Sequence, residues 1–374
     1  MQGVKERLVL SGLTSRELSQ KSGLSIERVE AVLAGGALSL AELSALAKAL
    51  GIKPSEFAKH SDQATRTELL FRQSAPRATK SFDSVRRISD QLATCLEFAT
   101  PLFHKLEWLE SFKPAAETYD EAEFLAERFR ALYFGEDLVS PMFGLPKLVA
   151  EGLGVLLFVV PEQGIEGASA IVGGRAFIFL SPRTFKPRML FTLAHELGHL
   201  VAGHLRGSEV ACIDEADSLG TLSRSRAKSE RFADAFASAL LLPAKGVGIA
   251  LSKLRTILKT TGNLGDVEIL YLSRIFGVSF EVAARRCEDL QLVPLGGARS
   301  LYEWLVKEHG SPEKRADSLG LPARPDIEFR NVPSELIDVA IDKVRRGELS
   351  IGKASSMLRM TIPQFYDYNA NTLH

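Results

Sequence analysis

The chain is poor in cysteine, with three in 374 residues, and it carries no net charge. So few thiols over such a length build no disulfide framework, which excludes the small stapled folds of secreted proteins and makes a reducing cytoplasm the expected compartment. Forty-six basic residues face forty-six acidic ones. The molecule as a whole therefore has no electrostatic pull toward nucleic acid, and any such contact must come from a local patch. Long apolar runs are missing as well. The longest, Leu153 to Val160, is too short to cross a bilayer, and no charged-apolar-small leader opens the chain. Neither membrane insertion nor secretion is expected. What remains is an ordinary globular composition, 45% hydrophobic and 25% charged, over a length that allows two or three domains with cores of their own.

The chemistry is concentrated in Phe191-Thr192-Leu193-Ala194-His195-Glu196-Leu197-Gly198-His199-Leu200. The segment is apolar and rich in leucine and alanine, so it is expected to be helical. On a helix His195 and His199 stand one turn apart, both imidazoles project from one face, and the two can share a metal ion. Glu196, beside the first of them, is placed to take a proton from a water activated at that metal.

A catalytic zinc takes three protein donors, so one more must come from elsewhere in the fold. His204 follows Gly203 directly and lies five residues past His199, which points it off the metal-binding face. Glu230 is the better candidate. It sits in Ser229-Glu230-Arg231-Phe232-Ala233-Asp234, an expected helix with Ser225 as N-cap and Pro243 as stop. Glu230 and Asp234 share one face. The first can bind metal while the second accepts a hydrogen bond from the far nitrogen of a ligand histidine and fixes its tautomer.

These two motifs, in this order and running on through Phe236-Ala237 to Leu240-Leu241-Leu242-Pro243, resemble the ImmA/IrrE family of bacterial zinc metallopeptidases. Phe276-Gly277-Val278-Ser279 and an arginine-rich helix leading into Leu290-Gln291-Leu292 extend the resemblance, which covers roughly residues 115 to 293. It implies a gluzincin-like zinc endopeptidase that cuts a DNA-bound repressor in stress, mobile-element or phage-defence regulation. Members with an added N-terminal helix-turn-helix of phage-repressor (XRE-like) type are part of that resemblance.

The N-terminal segment fits such a unit. Thr14 to Ser19 reads as a capped helix, Gly23-Leu24-Ser25 as a tight turn, Ile26 to Leu33 as a recognition helix, and Ser39 to Leu50 as a further helix. Ser15, Arg16, Glu27 and Arg28 are the candidate contacts with DNA or with a protein partner. Two carboxylates among the outward positions suit a phosphate-lined groove poorly, so dimerisation or docking onto a repressor of the same fold competes with DNA binding.

Elsewhere the signals are weaker. Ile88, Leu92, Cys95 and Leu96 form an apolar stripe in a helical connector. Leu156 and its neighbours read as a buried strand, and Gly173-Gly174 as the turn of a hairpin whose arm Ala176 to Leu180, or the arm paired with it, is the expected edge for an extended substrate. Residues 206 to 225 read as a loop at the mouth of the site. That loop holds Cys212, whose thiolate could occupy the open zinc position and hold the enzyme inactive. Tyr271 and His204 are candidate donors to a tetrahedral oxyanion. Near the C-terminus, Arg345, Arg346, Lys353 and Arg359 surround two short helical patterns of helix-turn-helix type.

The expectation is thus an α+β chain, predominantly helical. It has a helix-turn-helix bundle over residues 1–60, a helical connector over 61–114, a metallopeptidase domain with a small sheet over 115–293, and a C-terminal helical domain over 294–374. The expected cofactor is Zn2+ and the expected partner a repressor substrate, with DNA contact or homodimer formation through the first unit. The rival is a DNA-binding regulator or toxin-antitoxin component whose peptidase domain serves sensing or partner binding.

Overall fold

The computed structural model describes residues 13–33, 36, 38–50, 84, 87–89, 91–92, 95, 106–135, 137–161, 164–172, 174–205, 210–215 and 227–371, for 210–215 and 369–371 the backbone only. The first helices begin and end where their polar punctuation requires. The Thr14 hydroxyl accepts from the Glu17 amide and the Glu17 carboxylate accepts from the Thr14 amide, a capping box that starts α1 (Ser15–Ser22). Gly23, at φ +73°, ends it in the left-handed conformation that only glycine adopts cheaply. With α2 (Ile26–Leu33) and α3 (Leu40–Leu50), this segment closes on Leu18, Val29, Val32 and Leu46. In the connector Ile88, Leu92 and Cys95 are buried as the stripe requires. Leu96 lies outside the described residues.

The central region opens with α4 (Tyr119–Phe134), then a short turn at Leu145–Lys147 that widens into a π-helical turn at Leu148–Gly152. Strands β1 (Leu156–Val159), β2 (Ile165–Val172) and β3 (Arg175–Leu180) lead into α5 (Lys186–Ala202), β4 (Val210–Glu215) and α6 (Lys228–Leu241). There follow α7 (Ala244–Leu258), α8 (Asp266–Phe276), α9 (Phe280–Asp289), α10 (Gly297–His309) and α11 (Pro312–Ser318), and finally α12 (Ser334–Arg345), α13 (Ile351–Met357) and α14 (Ile362–Asn371). The architecture is α+β and mostly helical, as expected.

The sheet order is β1-β3-β2-β4, with β1 parallel to β3 and the other pairs antiparallel. Two expectations change here. Residues 210–215, within the stretch read as a loop, form an edge strand. The hairpin arms β2 and β3 are both interior, so neither is an edge for substrate. The cause is addition on both sides: β1 joins β3 in parallel, and β4 takes the outer side of β2. Surrounding serine, glycine and charge hid the short Val210-Ala211-Cys212-Ile213 run in the sequence.

Helix α6 lies at the centre of the core, packed on α5 and on α4, with Phe129 of α4 edge-on to Phe236 of α6 at 6.3 Å between centroids. Its last carbonyls have no helical partner, and two buried arginines take them. Arg130 Nε donates to the Leu240 carbonyl and Arg286 Nε to the Leu242 carbonyl, each at 2.8 Å. Arg286 also holds Glu123 of α4, so one side chain ties α9, α6 and α4 together.

The chain divides into two compact units, residues 103–334 and residues 1–102 with 335–374. The division at the C-terminal side falls after 334 rather than at 293/294. Ala298, Leu305 and Ala316 belong to the core of the unit 103–334, and Arg315 reaches back to Asp266 at 3.0 Å. Leu305 makes that packing, while Trp304 is 44% exposed. No single helix among the described residues is long and apolar enough to cross a membrane.

Replacing Arg286 by Met leaves Glu123 and the Leu242 carbonyl without their cation. The expected cost is about 3 kcal/mol, read from urea unfolding; an unchanged midpoint would contradict this role.

Candidate metal centre

The site is built where α5 and α6 cross. Gly198 makes the crossing close: a Cβ there would stand 3.1 Å from the Ala233 Cα and 3.2 Å from Phe236 Cδ1. Helix α5 is buried over nearly its whole length from Pro187 to Val201, with Pro187 in its first turn, and ends at Gly203, φ +74°. Helix α6 starts at Lys228 with Ala227 in the cap position and no side-chain cap; Ser225 lies outside the described residues. The absent cap has a counterpart in the site, because Glu230 in the first turn is directed to the histidines.

His195 Nε2 and His199 Nε2 lie 3.0 Å apart. Glu230 Oε2 is 3.5 Å from His195 Nε2, and Glu230 Oε1 is 3.4 Å from His199 Nε2. These three distances straddle the roughly 3.3 Å that separates donors in a tetrahedral site with bonds of about 2.0 Å. Both histidines are fully buried, whereas Glu230 keeps one-fifth of its side chain exposed, so the pocket opens on the Glu230 side. The three side chains form a donor set of two imidazoles and one carboxylate that could hold a divalent ion.

The residues behind the donors fix their orientation. Asp234 Oδ1 lies 2.9 Å from His195 Nδ1, so the ring presents its Nε2 lone pair to the pocket. His199 has a different support. Its Nδ1 is 2.9 Å from His204 Nδ1, and His204 Nε2 is 3.3 Å from Glu117 Oε1. With His199 donating from Nδ1, His204 accepts there and turns its own N–H toward Glu117. Burial pushes the His204 imidazole toward its neutral form, against the pull of Glu117. This places His204 behind a donor, at the His199 nitrogen that does not face His195 and Glu230. The left-handed Gly203 folds the chain back so that His204 meets the far side of His199.

Glu196 is fully buried and points at the sheet. Ser169 of β2 donates to its Oε2 at 2.5 Å. Gly167 leaves room for the carboxylate, since a Cβ at that position would come within 2.4 Å of Oε1. The register of β2 shifts between Ile165 and Gly167, and Glu166 takes Arg188 at 2.7 Å and Arg183 at 2.8 Å. The strand is thereby tied to the start of α5 at the level of Glu196. Ser169, Gly167, Glu117 and the true position of His204 had no signal in the sequence, because each depends on strand register or on a helix end.

Other candidates fall elsewhere. Cys212 sits in β4 at the register position opposite Ser169, and its thiol is outside the described side chains. Tyr271 is on α8, which packs chiefly on α7, α9 and α11, and it makes no hydrogen bond among the described residues. In the first unit Ser15 is half-buried, while Arg16 and Glu27 are exposed. Arg28 is held in a bidentate pair by Glu42, at 2.6 and 3.0 Å, and that arginine together with the Ser39 cap holds the Glu42 carboxyl down to about 2.

Residues 150–288 match the family model described as Peptidase_M78, IrrE N-terminal-like domain, and residues 4–57 match that described as HTH_3, helix-turn-helix. The expected arrangement, an ImmA/IrrE-like peptidase domain behind a phage-repressor-type helix-turn-helix, is borne out. No curated protein sequence matches the chain.

Gly198→Ala should force α5 and α6 apart, with a loss of about 1–3 kcal/mol in thermal or urea unfolding. Wild-type stability in that variant would contradict the close crossing.

Proposed function

We propose that the chain is a zinc-dependent endopeptidase that cleaves a helix-turn-helix repressor and so controls transcription. The observation that carries this reading is the convergence of His195, His199 and Glu230 from two helices at zinc-like separations. The substrate class rests on the resemblance to ImmA/IrrE peptidases and on the helix-turn-helix at the N-terminus.

A zinc ion held by those three residues supplies Lewis-acid polarisation of a peptide carbonyl and makes water acidic enough to attack near neutral pH. The protein side is specific. Asp234 keeps His195 a donor through Nε2, and His204 does the same for His199. Glu196 accepts the proton of the attacking water on its carboxylate and delivers it to the leaving amine. Ser169, through Oε2, gives that carboxylate a single orientation. Edge strand β4 is the element to which an extended substrate segment can pair, in place of the interior hairpin. A scaffold that only binds a partner has no need of a buried carboxylate beside two histidines, which favours hydrolysis over the sensing role.

Glu196→Gln should retain zinc and fold while losing cleavage of a helix-turn-helix repressor substrate, and a chelator should abolish cleavage by the wild type. Cleavage that persists in either case would remove the mechanism. His204→Ala should weaken zinc binding roughly 10- to 100-fold in competition with a chromogenic chelator; equal affinity would leave His204 without a part in the site.

A further inference from the structure

The C-terminal helices α13 and α14 repeat the fold of α1 and α2 interval for interval. In the first unit Thr14 caps α1 through the Glu17 amide, Leu18 is buried, Gly23 is left-handed, Ser25 caps α2 through the Arg28 amide, and Val29 is buried. At the same intervals Ser350 caps α13 through the Lys353 amide, Ala354 is buried, and Arg359 is left-handed at φ +52°. Thr361 then caps α14 through the Gln364 amide, and Phe365 is buried. The main chain agrees too. Leu18, Val29, Ala354 and Phe365 each donate to the carbonyl of their cap residue, at 2.9, 3.0, 2.9 and 3.0 Å. Two short helices turned through one left-handed residue, with caps in the same places, define a helix-turn-helix. The helix-turn-helix pattern was legible here in the sequence; its match to α1 and α2 was not, because an arginine stands where the first unit has glycine.

The two helix pairs offer a partner different chemistry. On α2 the exposed charged positions are Glu27 and Glu30, and the guanidinium of Arg28 is spent on Glu42. Phosphates would meet net negative charge there. On α14 the exposed positions are Ile362, Pro363, Gln364, Tyr366 and Asp367, a mostly uncharged set able to reach base edges. Lys353 on α13 and Arg359 at the turn are exposed beside it, and Arg359 gives one N–H to the Arg87 carbonyl. We propose that residues 350–371 are a second helix-turn-helix, and that α14, flanked by Lys353 and Arg359, is the helix that this chain lays on duplex DNA. The first unit is left to protein contact.

The test uses the full chain and a labelled random-sequence duplex of about 30 base pairs, titrated at several salt concentrations. Arg359→Gly restores the residue that a left-handed turn prefers, and Lys353→Gln alters an exposed helical site, so the double variant should keep the wild-type thermal midpoint. It should bind at least roughly tenfold more weakly at low salt, with a salt slope reduced by about 2. Arg16→Gln, in the first unit, should change affinity by less than about twofold. The proposal is overturned if the wild type ignores DNA at low salt, if the double variant binds as tightly as wild type, or if Arg16→Gln alone removes binding. The result is independent of zinc and of proteolysis.

Discussion

The close crossing of α5 and α6 at Gly198 is the constraint on which the centre depends. Two imidazoles one turn apart on α5 can present Nε2 to a common point, but they need a third donor from a different element. Glu230 supplies it because its helix passes within van der Waals contact of the glycine, and any side chain at 198 would widen the gap. The remainder of the central core serves that crossing. Helix α4 backs α6 from the other side, and Arg130 and Arg286 secure its C-terminal carbonyls. Strand β2 closes over Glu196 through Ser169 and Gly167.

Charge within the centre is handled by pairing rather than by exposure. A buried imidazole becomes a usable donor only when its far nitrogen has a fixed partner. The two histidines solve this separately, His195 through the carboxylate of Asp234 and His199 through the neutral ring of His204 with Glu117 behind it. The second chain of contacts links α5 to the approach to α4, so the orientation of one donor depends on the docking of an element far away in sequence. Glu166, nearly inaccessible and bound to Arg183 and Arg188, ties β2 to the first turn of α5 in the same manner.

Much of this was legible in the residues, and the boundary has a physical cause. Local periodicity is written in sequence: the spacing of His195 and His199 and of Glu230 and Asp234 gives a shared face on any helix, and the cap at Thr14 marks where a helix starts. Relations between elements are not. Ser169 meets Glu196 only because of the strand register, and β4 was hidden by its short length and polar neighbours. His204 required knowledge of how Gly203 turns the chain. The place of Glu230 in the site could be inferred because the chemistry of the motif demanded a third donor.

The direct test is anomalous diffraction at the zinc absorption edge from crystals of the wild type and of Glu230→Ala. A single peak between His195 Nε2, His199 Nε2 and the Glu230 carboxylate in the wild type, lost or strongly weakened in Glu230→Ala, is the predicted result. No peak at this position in zinc-supplemented wild-type crystals, or an undiminished peak in Glu230→Ala, would contradict the three-donor centre.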